Sequence, residues 1–235
     1  MDIGGFKVIF QETFFLQQEA NNWFQRNQAV LETFDRDDKF DWVCYLLKLL
    51  NEKDKLNNIV DIGCSNGWRL NKLSQQGFGK YFFGVDASLE AIQSGKVHYP
   101  HLNLYQGMLS QLPLKTEFDL VIVAGVLHCV DRHTLVRSIA EIDRVTKDEG
   151  VLIIGDFLPD FQQRRHNHHY PEEPIYTYKQ DYAKIFESFG MYRELIKVTS
   201  HYDEPGVPTN SGENSSRFGW TCLQKSLHSF YPEIS

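Results

Sequence analysis

Short apolar segments alternate with helix-forming segments through the middle of this 235-residue chain. The apolar segments are rich in Val, Ile, Leu and Phe, which is typical of strands buried in the centre of a sheet. They cover residues 59–62, 81–86, 102–107, 118–127 and 150–157. Alternation of strands and helices predicts an α/β fold in which helices cover both faces of a parallel sheet.

The segments between the strands carry helix signals. Ser88 is a plausible N-cap for the helix after the second strand, and Gly77 ends the helix that begins near Trp68. Asp131 is positioned to cap the helix after the fourth strand, whose apolar residues share one face: Leu135, Ile139, Ile142 and Val145.

We expect a single domain with four parts, because a chain of this length can bury one sizeable core. Residues 1–52 are predicted to form an N-terminal helical cap, with helices near 12–33 and 39–50, and residues 53–157 a cofactor-binding core. Residues 158–178, which are polar and rich in His, Tyr and Pro, suggest a lid-like insertion. Residues 179–235 are predicted to form a terminal helix and a β-hairpin of strands 191–200 and 216–226, joined by a loop.

The composition excludes several classes of protein. A net charge of −7 argues against general nucleic-acid binding, which needs clustered Lys and Arg. The four cysteines are spread along the chain without a CxxC pair, as in a reducing compartment. No apolar run is long enough to span a bilayer, and the first residues, MDIGGFKVIF, lack the basic start of a signal peptide. We therefore expect a cytoplasmic protein without a membrane partner.

The segment NIVDIGCSNGW, residues 58–68, is the most informative local motif. A Gly-rich turn between a strand and a helix commonly binds a nucleotide or an anion. The dinucleotide pattern GxGxxG would need a third glycine where Trp68 stands, so that pattern is absent. What remains is Asp61, Gly63 and Gly67, with Asp86 at the end of the next strand.

In this order and spacing the motifs resemble those of the class I S-adenosylmethionine-dependent methyltransferases. VDIGCSNGW matches the first motif of that family, with Ser65 in place of the middle glycine, FFGVDAS matches the second and FDLVIVAGVLHCV the fourth. The resemblance implies a Rossmann-like, doubly wound, seven-stranded sheet, mostly parallel with an antiparallel terminal strand. It also implies S-adenosyl-L-methionine as the cofactor.

The resemblance also implies a set of cofactor-binding residues. Gly63 would let the backbone approach the methionine moiety, Asp61 would reach its amino-acid group, and Asp86 would accept hydrogen bonds from the ribose hydroxyls. Alternatively, Asp61 is a satisfied strand-end carboxylate and Asp86 a helix cap. The full set is Asp61, Gly63, Cys64, Ser65, Gly67, Asp86, Ala87, Met108, Leu109, Ala124 and Gly125.

Two segments outside the core are candidates to close over the site. NNWFQRN resembles the capping helix of small-molecule methyltransferases, in which Trp23 and Phe24 would cover the cofactor and Arg26 would pair with its carboxylate; a surface salt bridge is the alternative for Arg26. The histidines of the insertion can be read as metal ligands, but we favour a substrate lid without metal. Its candidate residues are His166, His168, His169, Tyr170, Tyr176 and Tyr178.

Methyl transfer requires mainly positioning and desolvation, so a general base is optional. By position His128 is the candidate catalytic base, although a histidine there can equally orient its loop. We expect a methyltransferase acting on a small soluble molecule, such as a sugar or secondary metabolite. The alternatives are methylation of protein or RNA, or a non-catalytic cofactor-binding regulator.

Overall fold

The computed structural model of the protein describes residues 11–36, 40–51, 55–202, 204–208, 216–231 and 233–234. The first ten residues, on which the signal-peptide argument rests, lie outside this set. An eight-stranded sheet has the order β3-β2-β1-β4-β5-β10-β8-β9. Its strands are β1 Asn58–Ile62, β2 Tyr81–Asp86, β3 Asn103–Gln106, β4 Phe118–Ala124, β5 Thr146–Phe157, β8 Tyr192–His201, β9 Glu204–Pro208 and β10 Arg217–Lys225. β6 Gln163–His166 and β7 Tyr176–Lys179 form a separate two-stranded sheet.

The helices connect the strands as predicted. An N-terminal helix consists of α1 Gln11–Phe14, a π-helical turn Phe15–Glu19 and α2 Ala20–Arg36. The others are α3 Trp42–Leu50, α4 Trp68–Gln75, α5 Leu89–His98, a 3₁₀ turn Leu127–Cys129, α6 Leu135–Val145 and α7 Ala183–Glu187. Ser88 caps α5 as expected, since its side chain accepts a hydrogen bond from the Ala91 N–H. In the part of the chain that is described, none of the helices has the length and apolar character needed to cross a membrane.

The central strands are buried on both faces, as their apolar sequences predict. β1 pairs in parallel with β2 on one side and with β4 on the other. One apolar layer packs under α3 and α4, and a second packs under α6 and α7. The chain therefore reverses its direction of winding between β1 and β4, and ligands of such folds bind at the carboxyl ends of the strands at this reversal.

The predicted seven strands are present, and the sheet has one more. β10 lies between β5 and β8 and is antiparallel to both. The segment 201–214, which we expected to be a loop, contributes the short β9, which pairs with β8 at Ser200 and His201. This pairing covers part of an otherwise open strand edge, whose free backbone groups need partners.

Two local predictions differ from the structure. The fifth strand, predicted over residues 150–157, begins at Thr146 and includes Glu149, which takes a left-handed conformation with φ 60° where the pairing with β4 shifts register. Asp131 does not cap α6: its carboxylate accepts from the His133 N–H, and Thr134 occupies the N-cap without a side-chain hydrogen bond. Asp131 thus closes the turn that precedes the helix.

The lid-like insertion contains the regular β6–β7 hairpin rather than only irregular polar chain. Four residues of each strand pair, from Gln163 with Lys179 to His166 with Tyr176. Alternating Arg, Tyr and Thr side chains suit such a ribbon, although its Pro-punctuated sequence indicated a loop.

Candidate functional site

The loop between β1 and α4 is held at the carboxyl end of the sheet. The N–H groups of Gly63 and Cys64 both donate to the carbonyl of Val85 on β2, at 2.7 and 3.2 Å. Left-handed conformations occur at Gly63 (φ 78°), Ser65 (φ 51°) and Gly67 (φ 88°). Ser65 therefore adopts the backbone conformation for which glycine is favoured, although it stands where the family pattern has its middle glycine. Gly67 is the N-cap of α4, which begins at Trp68 as predicted.

The loops after β1 and β4 meet at this end of the sheet. A Cβ atom added to Gly63 would lie 2.2 Å from Cγ2 of Val126, so only glycine fits there. Gly125, by contrast, is exposed with φ 71°, and an added Cβ would meet no atom within 4 Å. Half-buried Ala124 precedes it at the end of β4. The two loops thus border open space at the reversal of the sheet.

Asp86 fastens the loop after β1 to the end of β2. Its Oδ2 accepts from the Ser65 N–H at 2.7 Å and its Oδ1 from the Ser88 N–H at 2.8 Å. Burial raises the pKa of this carboxyl group, an effect that the two backbone N–H groups oppose. Each oxygen still has a second lone pair for another donor. The helix cap itself is Ser88, so the alternative role for Asp86 as the cap of α5 is wrong.

Asp61 is fully buried and forms an ion pair that sequence analysis missed. Arg69 of α4 donates to Asp61 Oδ2 at 3.0 Å and to Asp41 Oδ2 at 3.2 Å. Asp41 also caps α3 by accepting from the Cys44 N–H. Burial raises the pKa of Asp61 to about 6, while Arg69 pulls it down. Arg69 follows Trp68 in the first turn of α4, and nothing in the sequence pairs it with these carboxylates.

Two buried polar atoms lack hydrogen-bond partners among the described residues: Oδ1 of Asp61, near the end of β1, and Oγ of Ser65, in the loop that follows. Unsatisfied buried polar atoms are costly, so two of them four residues apart at the carboxyl end of β1 indicate a candidate ligand-binding position. Cys64, between them in the loop, is buried, and desolvation raises the pKa of its thiol. Cys64 is therefore a neutral residue that packs in the apolar layer under α3 and α4.

The segment after β3 borders the crevice through its backbone. The Gly107 N–H donates to the Asp86 carbonyl, and Gln106 donates to the carbonyl of Ala87. Met108 is half-buried, but Leu109 is buried in the apolar layer beneath the sheet. The Leu109 side chain fills the core, so binding of the cofactor by this residue would have to use its backbone.

His128 lies in the 3₁₀ turn after β4 and is held by Asp156 at the end of β5. Its Nδ1 lies 2.9 Å from Asp156 Oδ1, and its backbone N–H donates to Asp156 Oδ2 at 3.1 Å. Burial alone would lower the pKa of His128, but Cys129 and Asp156 outweigh it and raise the pKa well above its ordinary value. The pairing with Asp156 thus favours the protonated form of His128, and a protonated imidazole cannot accept a proton. Asp156 was missed, although an acidic residue ending a buried parallel strand was the available signal.

The N-terminal helix crosses the carboxyl ends of three strands. The Gln11 side chain donates to the carbonyl of Cys129, in the segment after β4, at 2.7 Å. The Glu12 carboxylate accepts from the hydroxyl of Ser110, in the segment after β3. Asn21 accepts from the Ser88 hydroxyl after β2 at 2.8 Å. These contacts place the helix above the crevice, as a cap requires.

The three residues of this helix that we expected to contact the cofactor differ in their exposure and in their partners. Trp23 is 43% exposed, whereas Phe24 is buried with Trp68 and Ala91 under the helix. The helical period turns neighbouring side chains to different sides, so one of the two must face outward. Arg26 pairs with the buried Glu19 at 2.6 Å, which is the salt-bridge alternative rather than a free cofactor-binding cation.

The hairpin and its connection are attached to this helix. Gln11 exchanges two hydrogen bonds with the backbone of Tyr176, and the Tyr170 hydroxyl donates to Glu19 at 2.6 Å. Asn22 donates to the same hydroxyl at 2.8 Å. The predicted cap and lid therefore form one roof, joined around a buried carboxylate.

The other predicted lid residues differ in their solvent exposure. Tyr178 is half-buried, with the Arg132 guanidinium 4.3 Å from its ring centroid. His166, His168 and His169 are exposed. Within the described ranges, no group of three His, Cys, Asp or Glu side chains is arranged to hold a metal ion.

Comparisons with known proteins agree with this geometry. A family model described as a methyltransferase domain matches residues 60–154. The chain is 27% identical over 127 residues to a malonyl-[acyl-carrier protein] O-methyltransferase of Halalkalibacterium halodurans, a match that covers 49% of this chain and 46% of that protein. The chain thus spans about half the length of this curated relative.

Solved structures share the fold. An S-adenosylmethionine-dependent methyltransferase from Clostridium acetobutylicum aligns with a TM-score of 0.60 at 14% identity, over 87% of this chain and 100% of that one. A 1,6-didemethyltoxoflavin-N1-methyltransferase from Burkholderia thailandensis, solved with its substrate and S-adenosylhomocysteine, aligns with a TM-score of 0.61 at 13% identity, over 92% and 87% of the two chains. The strand order and the family match agree: residues 60–154 match the methyltransferase domain family, and the chain has the fold of S-adenosylmethionine-dependent methyltransferases.

Proposed function

We propose that this protein transfers a methyl group from S-adenosylmethionine to a small acceptor, in the crevice between the loops after β1 and β4. One observation carries the proposal: the left-handed loop 63–67 lies at the reversal of the sheet, with one unsatisfied buried polar atom just before it, Asp61 Oδ1, and one within it, Ser65 Oγ. Loops of this kind at this place in an α/β sheet bind nucleotide-like ligands.

The loop residues fit the proposed cofactor. Asp61 Oδ1 would accept a hydrogen bond from the amino group of the methionine moiety, and Ser65 Oγ is a second free polar atom beside it. Asp86 would accept from the ribose hydroxyls with its remaining lone pairs. The open space over Gly125 would hold the part of the cofactor nearest the reacting sulfur.

When bound, the cofactor supplies an electrophilic methyl group on a sulfonium. The protein then has to position the acceptor and keep water away. His128, whose protonated form is favoured by Asp156 and whose ring is fixed by it, would orient the acceptor by donating a hydrogen bond. An imidazolium does not remove a proton, so this arrangement favours an acceptor atom that is nucleophilic without a base.

A small acceptor is supported by the roof. The N-terminal helix and the hairpin connection contact each other and cross the strand ends, which would leave an enclosed site rather than an open groove. The net charge of −7 also disfavours an RNA substrate.

Titration calorimetry tests the cofactor assignment. We expect S-adenosylmethionine and S-adenosylhomocysteine to bind with dissociation constants on the order of micromolar, and NAD not to bind. Preferential binding of NAD would contradict the proposal.

A matched pair of variants tests the role of Asp86. Asp148, like Asp86, accepts hydrogen bonds from two backbone N–H groups, those of Glu149 and Leu227, but it lies at the opposite end of the sheet. Asp86→Asn should weaken S-adenosylhomocysteine binding by about 1.5–3 kcal/mol, the scale of hydrogen bonds to a charged group. Asp148→Asn should leave the affinity unchanged. Equal affinities for the two variants would show that Asp86 serves only the loop backbone.

A further inference from the structure

A nearly buried arginine holds one oxygen of the carboxylate that we assign to the cofactor's amino group. Arg69, in the first turn of α4, has a side chain that is only 11% exposed. Its Nη1 donates to Asp61 Oδ2 at 3.0 Å, and its Nε donates to Asp41 Oδ2 at 3.2 Å. The other oxygen of Asp61, Oδ1, has no hydrogen-bond partner among the described residues. Arg69 therefore occupies one side of Asp61 and leaves the other side for a ligand.

We propose that Arg69 is a positioning residue for the cofactor: it orients Asp61 and keeps it ionised, so that Oδ1 can accept from the cofactor's ammonium group. The inference rests on the proposed function, because it concerns the carboxylate assigned there to the amino group of the methionine moiety. Arg69 acts through Asp61 and is assigned no contact with the cofactor itself.

Arg69 can orient Asp61 because its own guanidinium is held on two further sides. Asp41 binds it through Oδ2 while its Oδ1 accepts from a backbone N–H in the first turn of α3, at 3.0 Å. The guanidinium carbon also lies 4.7 Å from the centroid of the Trp68 ring, and that ring stacks on Phe34 of the N-terminal helix at 4.3 Å. A carboxylate held by a fixed guanidinium keeps one orientation, which pre-organises its remaining oxygen for the ligand.

The charge of Asp61 also depends on Arg69. Asp61 is fully buried, and burial raises its pKa to about 6 even though Arg69 pulls the pKa down by its charge and its hydrogen bond. Asp41 and Asp86 act on Asp61 as like charges and raise its pKa. Cys64, in the adjoining loop, stays neutral because burial raises the pKa of its thiol. A buried carboxylate that loses its opposite charge takes up a proton more readily, so without Arg69 a larger fraction of Asp61 would be neutral.

The test measures S-adenosylhomocysteine binding by titration calorimetry between about pH 5.5 and about pH 8, in wild type and in Arg69→Met. The ratio of the two dissociation constants at each pH cancels the titration of the ligand's own amino group. An opposite charge lowers the pKa of a carboxylate by about 1–3 units, so the variant should raise the pKa of Asp61 by that amount. We expect Arg69→Met to bind more weakly at acid pH, and the ratio to fall by about fivefold or more towards about pH 8.

Two other variants show that the effect comes from the charge beside Asp61. Arg69→Lys keeps a positive charge there and should show a smaller change of the ratio with pH than Arg69→Met. Lys225→Met is the matched control, since Lys225 is another buried cation that pairs with a carboxylate, that of Asp143 at 2.9 Å. Lys225 also donates to the carbonyl of Thr146, the first residue of β5, and so lies at the opposite end of the sheet. Its ratio to wild type should not change with pH.

Asp41→Asn provides the test if Arg69→Met does not fold, because asparagine is as good an N-cap as aspartate. The substitution removes a like charge that acts on Asp61 and leaves the guanidinium to Asp61 alone, so the pKa of Asp61 should fall. Asp41→Asn should therefore bind S-adenosylhomocysteine about twofold or more tightly than wild type at about pH 5.5, and equally well at about pH 8.

The results separate the two proposals. Failure of the wild-type protein to bind S-adenosylhomocysteine would overturn the proposed function. Normal binding by wild type would overturn the role of Arg69 alone if the ratio for Arg69→Met stayed constant with pH, or if Arg69→Lys or Lys225→Met changed with pH as strongly as Arg69→Met. Should Arg69→Met not fold, a pH dependence of Asp41→Asn equal to that of wild type would overturn it.

Discussion

Gly63 provides the sharpest test of why the loop 63–67 requires glycine, because it combines a left-handed backbone conformation with a close steric contact to the loop after β4. Its φ is 78°, and an added Cβ would lie 2.2 Å from Val126 Cγ2. Gly125 has a similar φ of 71° and open space around the added atom. The two Gly→Ala variants therefore share the backbone penalty and differ in the clash.

The magnitudes follow from these two contributions. A left-handed conformation costs an L-residue about 1–2 kcal/mol, and forcing an extra methyl group into a packed site costs about 1–3 kcal/mol. We expect Gly63→Ala to lower the free energy of unfolding by about 2–5 kcal/mol and Gly125→Ala by about 1–2 kcal/mol. Replacing glycine by alanine also lowers the conformational entropy of the unfolded chain, which stabilises both variants by a similar amount. This contribution therefore cancels when the two variants are compared.

Urea unfolding measures both values by linear extrapolation. Shortening the neighbour supplies the decisive control: in a Val126→Ala background, Gly63→Ala should cost only the backbone penalty of about 1–2 kcal/mol. If Gly63→Ala costs the same in both backgrounds, or no more than Gly125→Ala, the close contact between the two loops is not what requires glycine there.

Three further predictions concern His128 and the roof formed by the N-terminal helix and the hairpin connection. The pKa of His128 is higher in the folded than in the unfolded chain, so its stabilising contribution is complete below about pH 6.5 and is lost as the pH rises through the folded-state value. The difference in unfolding free energy between wild type and His128→Gln should therefore shrink from acid to alkaline pH; a constant difference in urea unfolding would contradict the pairing with Asp156. Tyr170→Phe removes a hydrogen-bond donor from the buried Glu19 and should cost about 1–3 kcal/mol in the same assay, whereas a neutral effect would show that Glu19 needs only its arginine partner. Hydrogen exchange of the N-terminal helix should slow when S-adenosylhomocysteine binds, with the β6–β7 hairpin responding mainly to acceptor, and an unchanged pattern in both segments would argue against a closing roof.

Local sequence was sufficient to predict the core of the fold, because its strands are short, apolar and separated by helices. Segments 59–62 and 81–86 lie within the observed strands β1 and β2, α4 begins at Trp68, and the Ser88 cap is where its residue type indicated. These features depend on backbone preferences and on burial patterns that each segment carries by itself. The family match over residues 60–154 falls on the same stretch.

Only the tertiary structure decided which side chains meet. Arg69 joins Asp41 and Asp61, and Asp156 holds His128, across separations in the chain that no local pattern encodes. The different burial of Trp23 and Phe24 has the same origin, because the packing of the helix on Trp68 selects its buried face. Ion pairs and buried helix faces depend on how helices and strands pack against each other. The sequence by itself therefore determined the Gly-rich loop 63–67, and the packing of the roof and of β5 determined which side chains contact each other around that loop.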